Sequence, residues 1–272
     1  MPPFPVYPAA FLRHVWAYRD LLLQMTERDT RSRYRGTAGG LVWSVFHPLL
    51  MLGVYVFFFG QVFPSRWPVE SERPADFALI LFVGLLFHGF FTEAVTRAPG
   101  VVVGQPNLVR KVVFPLDLLP VVAVGSAIFH LAVGLTILLV FHVIVRGLPP
   151  VTALMLPIIV APLVVCALGF SWALASLGVY LRDVAHVVPV ACAVLLFVSP
   201  VFYPAEVLAS PFRELIALSP ITVPITQARD ALLWGRWPDP VTYGIYASTS
   251  LVIAWMGLVW FQGTRKGFAD VL

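Results

Sequence analysis

The chain has 272 residues, of which 59% are hydrophobic and only 12% are charged, and its mean hydropathy is +0.87. Soluble domains carry about 25% charged residues, so this shortage, with long uncharged runs, indicates an integral membrane protein. The net charge of +4 does not indicate nucleic-acid binding, because the basic residues are split among short segments between apolar runs, as in membrane loops.

Residues 1–40 are predicted to hold an amphipathic helix ahead of the first apolar run. Apolar side chains recur there at steps of three or four, which is the spacing of one helix face, and the opposite face is charged. The apolar positions are Phe11, Val15, Tyr18, Leu22 and Met25. This helix is expected to lie in the membrane interface with its arginines towards lipid headgroups; the alternative is a solvated helix packed on the protein.

Six apolar runs follow, and each is interpreted as a membrane-spanning helix, since such a helix needs about 20 residues. They cover residues 41–63, 77–95, 118–145, 151–180, 187–202 and 242–261. Pro48 is expected to kink the first span. The fifth is short, which leaves a re-entrant pair open at that place. Residues 203–240 hold two amphipathic pieces, each too short and too polar to cross a bilayer.

Six spans place both ends of the chain on one side of the membrane. Of the 18 Lys and Arg residues, 12 fall on that side, so the positive-inside rule predicts that both termini and residues 97–120 are cytoplasmic. We interpret residues 1–272 as a single transmembrane domain. It comprises a cytoplasmic or interfacial part over 1–40, a six-span region over 41–261 and a cytoplasmic tail over 262–272.

Few ionisable residues lie inside the spans. Glu93 and Arg97 are one helical turn apart and are predicted to pair at the interface, and Asp117 is predicted to cap the third span. Three histidines lack metal-ligand spacing and are interpreted as hydrogen-bonded core residues: His88, His130 and His142. The two cysteines lie in apolar runs and are interpreted as small core residues: Cys166 and Cys192.

No phosphate-binding loop of the form GxxxxGKS or GxxxxGKT occurs, and no Ser/His/Asp or Cys/His arrangement of a nucleophilic enzyme is legible. The chain is therefore not expected to be an enzyme, or to bind a cofactor or metal itself. If it moves a substrate against a gradient, the energy must come from a partner. Residues 97–120 are the longest predicted cytoplasmic segment between spans, and they are the predicted point of contact.

Six segments resemble, in order, the membrane subunits of ABC-2-type polysaccharide exporters, which export O-antigen, capsule or teichoic acid chains. These segments are RSRYRGTAGGLVWSVFHPLL, NLVRKVVFPLDLLP, LGVYLRDVAHVVP, SPVFYP, LSPITVPITQARDALL and GFADVL. One departure is Ser219-Pro220, where the family more usually has Asn-Pro. The match runs over most of the chain.

The resemblance implies an all-α fold of six transmembrane helices with an N-terminal amphipathic interface helix. It also implies a cytoplasmic coupling helix at about 99–112 between spans two and three. Two short re-entrant periplasmic helices in 204–235 would gate the exit between spans five and six. Two copies of the chain would form a homodimer around a channel, on two copies of an ATPase subunit that binds ATP and Mg²⁺. The cargo would be a lipid-linked polysaccharide crossing the bacterial cytoplasmic (inner) membrane.

The resemblance also implies three sets of site residues. The coupling set would contact the ATPase and comprises Gln105, Asn107, Leu108, Arg110, Lys111, Arg182 and Asp183. The channel set comprises Trp43, Phe46, Phe197, Phe202 and Tyr203, whose rings would stack on sugar faces; lipid-facing or packed aromatic residues are the alternative. The gate set comprises Glu206, Arg213, Glu214, Arg229 and Asp230, which would contact sugar hydroxyls or pair with one another.

Two other functions stay open at this point. An ABC-2-type exporter of lipids or drugs is less favoured, because such permeases usually lack this ordered set of segments. An integral membrane acyl- or glycosyltransferase would need acidic residues or histidines gathered at one interface, and here they are scattered along the chain.

Overall fold

The computed structural model describes residues 8–57, 74–111, 114–204 and 210–272, and these residues form helices and turns with no strand among them. The α-helices in the described ranges are α1 (Pro8–Ala17), α2 (Arg19–Ser32), α3 (Val42–Phe57), α4 (Pro74–Val103), α5 (Pro106–Lys111), α6 (Leu118–Arg146), α7 (Leu156–Tyr180), α8 (Val184–Phe197), α9 (Ser210–Ala217), α10 (Thr222–Leu233), α11 (Pro240–Thr264) and α12 (Phe268–Val271). Short 3-10 helices at Val151–Met155 and Arg265–Gly267 precede α7 and α12.

Four helical stretches are long and apolar enough to cross a membrane, counted over the described residues. They are Ala75–Val103, Leu118–Arg146, Val151–Tyr180 and Pro240–Val271. The apolar helices α3 and α8 are shorter, with 16 and 14 residues. A multi-pass helical membrane protein is therefore confirmed, and the six-span topology stays a prediction. Residues 58–63, which close the predicted first span, lie outside the described residues.

The predicted N-terminal amphipathic helix is divided into α1 and α2, which meet at Tyr18. Its apolar side faces the protein: Leu22 packs against Leu118 at the start of α6. Further along α2, the buried hydroxyls of Thr30 and Ser126 lie 3.1 Å apart. Helix α2 is thus packed on α6, and a position in the membrane interface stays a prediction.

Helix α4 is longer than the predicted second span and continues through Pro99 to Val103. Residues 99–103 therefore end α4, and the prediction that they begin the coupling helix is wrong. The reason is tertiary packing, since Val102 is fully buried and the backbone of α7 at Gly178 packs directly against the backbone at Pro99. A proline removes only one backbone hydrogen bond, which this packing outweighs.

Helix α4 also lies at the centre of the main core, between α6, α7, α8 and α10. Its N-terminal half is buried on every side, as expected for a helix that is hydrophobic all round. The fully buried side chains there are Ala78, Leu79, Ile80, Leu81 and Val83. The other helices of this core are therefore arranged around α4.

Helices α7 and α11 form the most extensive contact between helices in the described chain. Gly169 and Gly257 lie face to face at their crossing, and a Cβ atom at Gly169 would be 2.6 Å from the carbonyl oxygen of Ile253. Small residues let two membrane helices approach closely, so that van der Waals contact holds them together. Helices α7 and α11 are therefore packed backbone to backbone at this crossing.

Candidate functional site

Helix α5, which carries most of the predicted coupling set, rests on an apolar cluster. We call these buried residues the basal cluster: Phe11, Val102, Leu119, Trp172, Ala175, Val179, Leu258, Phe261 and Phe268. Leu108 and Val109 of α5 pack against it, while Gln105 and Asn107 are exposed. The side chains of Arg110 and Lys111 lie outside the described part of the structure. Helix α5 is thus a short surface helix whose apolar side chains pack on the basal cluster.

The second part of the coupling set lies on the turn after α7, where Arg182 and Asp183 are exposed. Tyr180, just before this turn, donates its hydroxyl to the carbonyl oxygen of Thr264 at 2.7 Å. Its ring also lies edge-on to Phe268, with the ring centroids 5.9 Å apart. Because Phe268 belongs to the basal cluster, the structure brings both parts of the coupling set to one end of the molecule. We call this surface, formed by α5, residues 181–183 and α12, the docking face.

Phe268 is the residue that sequence reasoning missed. It is fully buried and packs against Phe261 with ring centroids 5.4 Å apart. The signal in the sequence was an aromatic residue inside GFADVL, a segment that carried the resemblance but received no role. Gly267 beside it lies close to Tyr180, since a Cβ atom there would be 2.6 Å from the Tyr180 hydroxyl, which would have to move.

Asp117 stands at the N-cap position of α6, but its side chain makes no capping hydrogen bond, so the predicted capping role is wrong. The carboxylate is buried instead, 3.4 Å from His14 Nε2 on α1. Burial raises the pKa of Asp117, and the neighbouring His14 and Arg265 oppose that rise. The backbone carbonyl of Asp117 also accepts the indole N–H of Trp172 at 2.9 Å. Asp117 therefore links α1, α6 and α7 next to the basal cluster.

The channel set forms two aromatic groups on different helices. On α3, Trp43 and Phe46 are each 46% exposed and meet edge to face, with ring centroids 5.3 Å apart. Phe197, at the end of α8, is 66% exposed, and its ring centroid lies 6.1 Å from that of Phe202. The Tyr203 hydroxyl donates to the carbonyl oxygen of Phe197. Both groups present aromatic surface outward from this single chain.

The gate set is divided between surface and interior. Arg213 and Glu214 are exposed on α9, and Asp230 on α10 lies 3.8 Å from Arg236. Glu206 lies outside the described residues. Arg229 is 3% exposed, and its guanidinium donates to backbone carbonyls. The acceptors are the carbonyl oxygens of Ile80, Pro200 and Val201. Arg229 thus fastens α10 to α4 and to the segment after α8, inside the protein.

A cavity of 740 Å³ lies between α3, α4 and α6. One wall carries Glu93, whose carboxylate lies 2.7 Å from Arg33 and 2.9 Å from His130 Nδ1. The Tyr34 hydroxyl lies 2.9 Å from His130 Nε2. His130 is hydrogen-bonded, as predicted, but it is only partly buried and lines this cavity instead of lying in the core. We call these four residues, Arg33, Tyr34, Glu93 and His130, the polar cluster.

The predicted pair of Glu93 with Arg97 is wrong. Arg97 instead donates to Asp29 of α2 at 2.6 Å, while the carboxylate of Glu93 pairs with Arg33. The reason is that α2 packs along α6. This packing places Asp29 of α2, and Arg33 in the turn after it, next to α4. Partners that are distant in sequence thus replace the partner one helical turn away.

Residues 20–233 match the family described as ABC-2 type transporter, which is well over half of the chain. The chain belongs to the ABC-2 type transporter family. It is 27% identical over 261 residues to the O-antigen export system permease protein RfbA of Myxococcus xanthus, covering 95% of this chain and 98% of that protein. A protein of the same name from Klebsiella pneumoniae is 24% identical over 255 residues, covering 93% of this chain and 95% of that protein. The polysialic acid transport protein KpsM of Escherichia coli is 20% identical over 240 residues, covering 88% of this chain and 91% of that protein.

These matches confirm the resemblance found in the sequence. Membership in the ABC-2 family identifies the chain as a membrane transport subunit and implies an ABC ATPase partner. It also fits the finding that the chain lacks a phosphate-binding loop of its own. The docking face is the part of this ABC-2 permease that brings together the residues predicted to meet the partner.

The buried guanidinium of this ABC-2 permease gives a first testable prediction. Arg229→Lys should lower the free energy of unfolding by about 1–3 kcal/mol, because a single ammonium group cannot reach all three carbonyl oxygens and leaves buried acceptors without a donor. Arg28→Lys, at an exposed position of α2, is the matched control and should leave the free energy of unfolding unchanged. Thermal unfolding of the purified protein in detergent measures the difference. Equal stability of the two variants would contradict the fastening role of Arg229.

Proposed function

We propose that this chain is the transmembrane subunit of an ABC transporter that exports a lipid-linked, O-antigen-like polysaccharide across the bacterial cytoplasmic membrane. The observation that carries the proposal is the similarity to O-antigen export permeases along nearly the whole length of both chains. A further relative, similar over 91% of its own length, is named for the transport of another polysaccharide. All of these relatives are named for the movement of a glycan.

The energy for export would come from two copies of a separate ATPase subunit, which bind ATP and Mg²⁺. The docking face supports this proposal, because α5 and the 181–183 turn present exposed polar residues and α5 packs on the apolar basal cluster. A push on α5 would pass through Leu108 to the basal cluster, to which α7 and α11 contribute. Both termini would face the cytoplasm together with this surface.

The path for the glycan would lie between two copies of the chain. The aromatic groups on α3 and α8 support this proposal, because both are exposed on the single chain. Aromatic rings can stack against the apolar faces of sugars while forming no fixed polar bonds with them. A polymer in contact with such surfaces can advance by one sugar unit without breaking strong hydrogen bonds.

Charge reversal on α5 tests the coupling role. Arg110→Glu with Lys111→Glu should reduce surface polysaccharide on the order of tenfold, because it places two carboxylates where the ATPase would meet two cations. Arg110→Lys with Lys111→Arg, which keeps a positive charge at both positions, should leave export normal. Surface polysaccharide is measured by immunoblot of whole cells, and membrane fractionation gives the amount of the permease. Normal export by the double variant would show that α5 is not the coupling element.

A deletion strain tests the cargo itself. Loss of the gene should remove the surface glycan and leave lipid-linked polysaccharide inside the cell. Unchanged surface glycan, together with altered drug resistance or altered membrane lipids, would instead favour an ABC-2 exporter of lipids or drugs. The two outcomes are separated by mass spectrometry of the cellular lipid fraction.

A further inference from the structure

The cavity between α3, α4 and α6 has features that the proposed export path does not use. In its polar cluster, Glu93 and His130 lie on the otherwise apolar helices α4 and α6, and Arg33 and Tyr34 lie in the turn after α2. The side chains of Arg33, Glu93 and His130 are each less than a third exposed. Ionisable residues in such surroundings are costly and usually serve a function. With 740 Å³, the cavity falls in the range of about 300–1,000 Å³ that small-molecule sites occupy.

The chemistry of the polar cluster fits a neutral ligand rich in hydroxyl groups. The guanidinium of Arg33 offsets the carboxylate of Glu93 at 2.7 Å, so the pair presents donors and acceptors together without an excess of either charge. Tyr34 and His130 add a hydroxyl and an imidazole on the same wall. A hydroxyl group both donates and accepts, and several adjacent hydroxyls can bind such a mixed set together.

Aromatic residues complete the cavity and favour a sugar ring over other polyols. Trp43, Tyr55 and Phe90 line it together with the polar cluster. The C–H faces of a pyranose pack against aromatic rings while its edge hydroxyls reach polar groups. Trp43 also belongs to the channel set and contacts Phe46, so the cavity adjoins the proposed glycan path.

Two other occupants fit less well. A lipid acyl chain would cover the Arg33–Glu93 pair without supplying hydrogen bonds, at a cost in free energy for the desolvated charges. A metal ion would need a group of three or more His, Cys, Asp or Glu ligands, and the described residues contain no such group. A neutral sugar supplies the hydrogen bonds that a lipid lacks.

We propose that this cavity is a sugar-binding site in each copy of the chain, which holds one neutral pyranose unit of the glycan beside the export path. The inference rests on the proposed function, since it takes the glycan as the cargo. It assigns Tyr34 and Glu93 to hydroxyl binding and Trp43 to stacking. A bound unit would hold the polymer in place while the ATPase returns for the next cycle.

Photochemical crosslinking in cells that carry the whole transporter tests the site. Met51, which lines the cavity, is replaced with a photoreactive benzoylphenylalanine. Phe197, a member of the channel set that does not line the cavity, receives the same replacement in a second strain. Ultraviolet light should attach glycan to the permease in both strains, and a lectin blot should show it as a ladder above the protein band.

Two hydroxyl deletions separate binding from folding. Tyr34→Phe should lower the crosslink at position 51 about three- to tenfold, as expected for one lost hydrogen bond, and leave the crosslink at position 197 unchanged. Tyr243→Phe is the control, because the Tyr243 hydroxyl donates to the Ile158 carbonyl at 3.1 Å, away from the cavity. It should leave both crosslinks unchanged.

Each result bears on one of the two proposals. Glycan on position 197 alone would overturn the sugar site and leave the export function standing. An equal fall at both positions in Tyr34→Phe, in step with less permease in the membrane, would give Tyr34 a structural role and also overturn the site. Glycan on neither position, with normal surface polysaccharide in the deletion strain, would overturn the export function itself.

Discussion

Gly257→Val is expected to remove most of the folded protein from the membrane. Gly257 on α11 faces the backbone of Gly169 on α7, and a Cβ atom there would lie 2.8 Å from the Gly169 carbonyl carbon. A shift of either backbone would open the most extensive helix contact among the described residues. The cost should exceed about 3 kcal/mol, the upper end for overpacked sites where side chains can still adjust. Membrane fractionation and thermal unfolding in detergent measure the loss.

Gly244→Val provides a matched control on the same helix. Gly244 is exposed, and a Cβ atom there would meet nothing within 4 Å. The same glycine-to-valine change should therefore leave the amount of folded protein close to normal. If both variants accumulated equally, the close α7–α11 contact would not be what holds this pair of helices together.

Phe268→Ala is expected to reduce export on the order of tenfold while the ATPase subunit keeps hydrolysing ATP, which is a typical size for the loss of coupling between two sites. Phe268 is fully buried in the basal cluster, between α5, the ring of Tyr180 and the ring of Phe261. Removing a buried phenylalanine ring costs about 3–5 kcal/mol, which should loosen α12 and leave α5 without its support. Export and ATP hydrolysis are measured together in proteoliposomes that contain the permease and its ATPase.

Val271→Ala tests whether the effect belongs to the cluster. Val271 lies on the same short helix with a 49% exposed side chain, so its truncation should leave export unchanged. The Phe268 interpretation fails if the export rate per folded permease molecule stays normal in Phe268→Ala. Export would then follow only the amount of protein that survives in the membrane.

Features set by local sequence could be predicted well. The runs of apolar residues predicted an apolar helix at each of six places, and the structure has a helix at each, with different ends. The two amphipathic pieces in 203–240 correspond to α9 and α10. Both predictions succeed because helix formation depends on residues within a few turns of one another.

Features set by distant contacts could not be predicted. The end of α4 depends on Gly178 of another helix, which supports the chain at Pro99. The partner of Arg97 is Asp29, 68 residues away, and one of the two partners of His130 described above is Tyr34, 96 residues away. Spacing along one helix predicts neighbours on that helix only, so it favoured Glu93 with Arg97 and found no polar cluster.

The position of Phe268 has a consequence for how the protein is made. Helix α5 emerges from the ribosome more than 150 residues before Phe268, which supports it from below. During synthesis the basal cluster beneath α5 therefore stays incomplete until α11 has entered the membrane and residues 265–268 have been made. Contacts between such distant segments form late in folding. An ATPase subunit that recognises α5 in its finished position would thus select permease molecules whose membrane insertion is already complete.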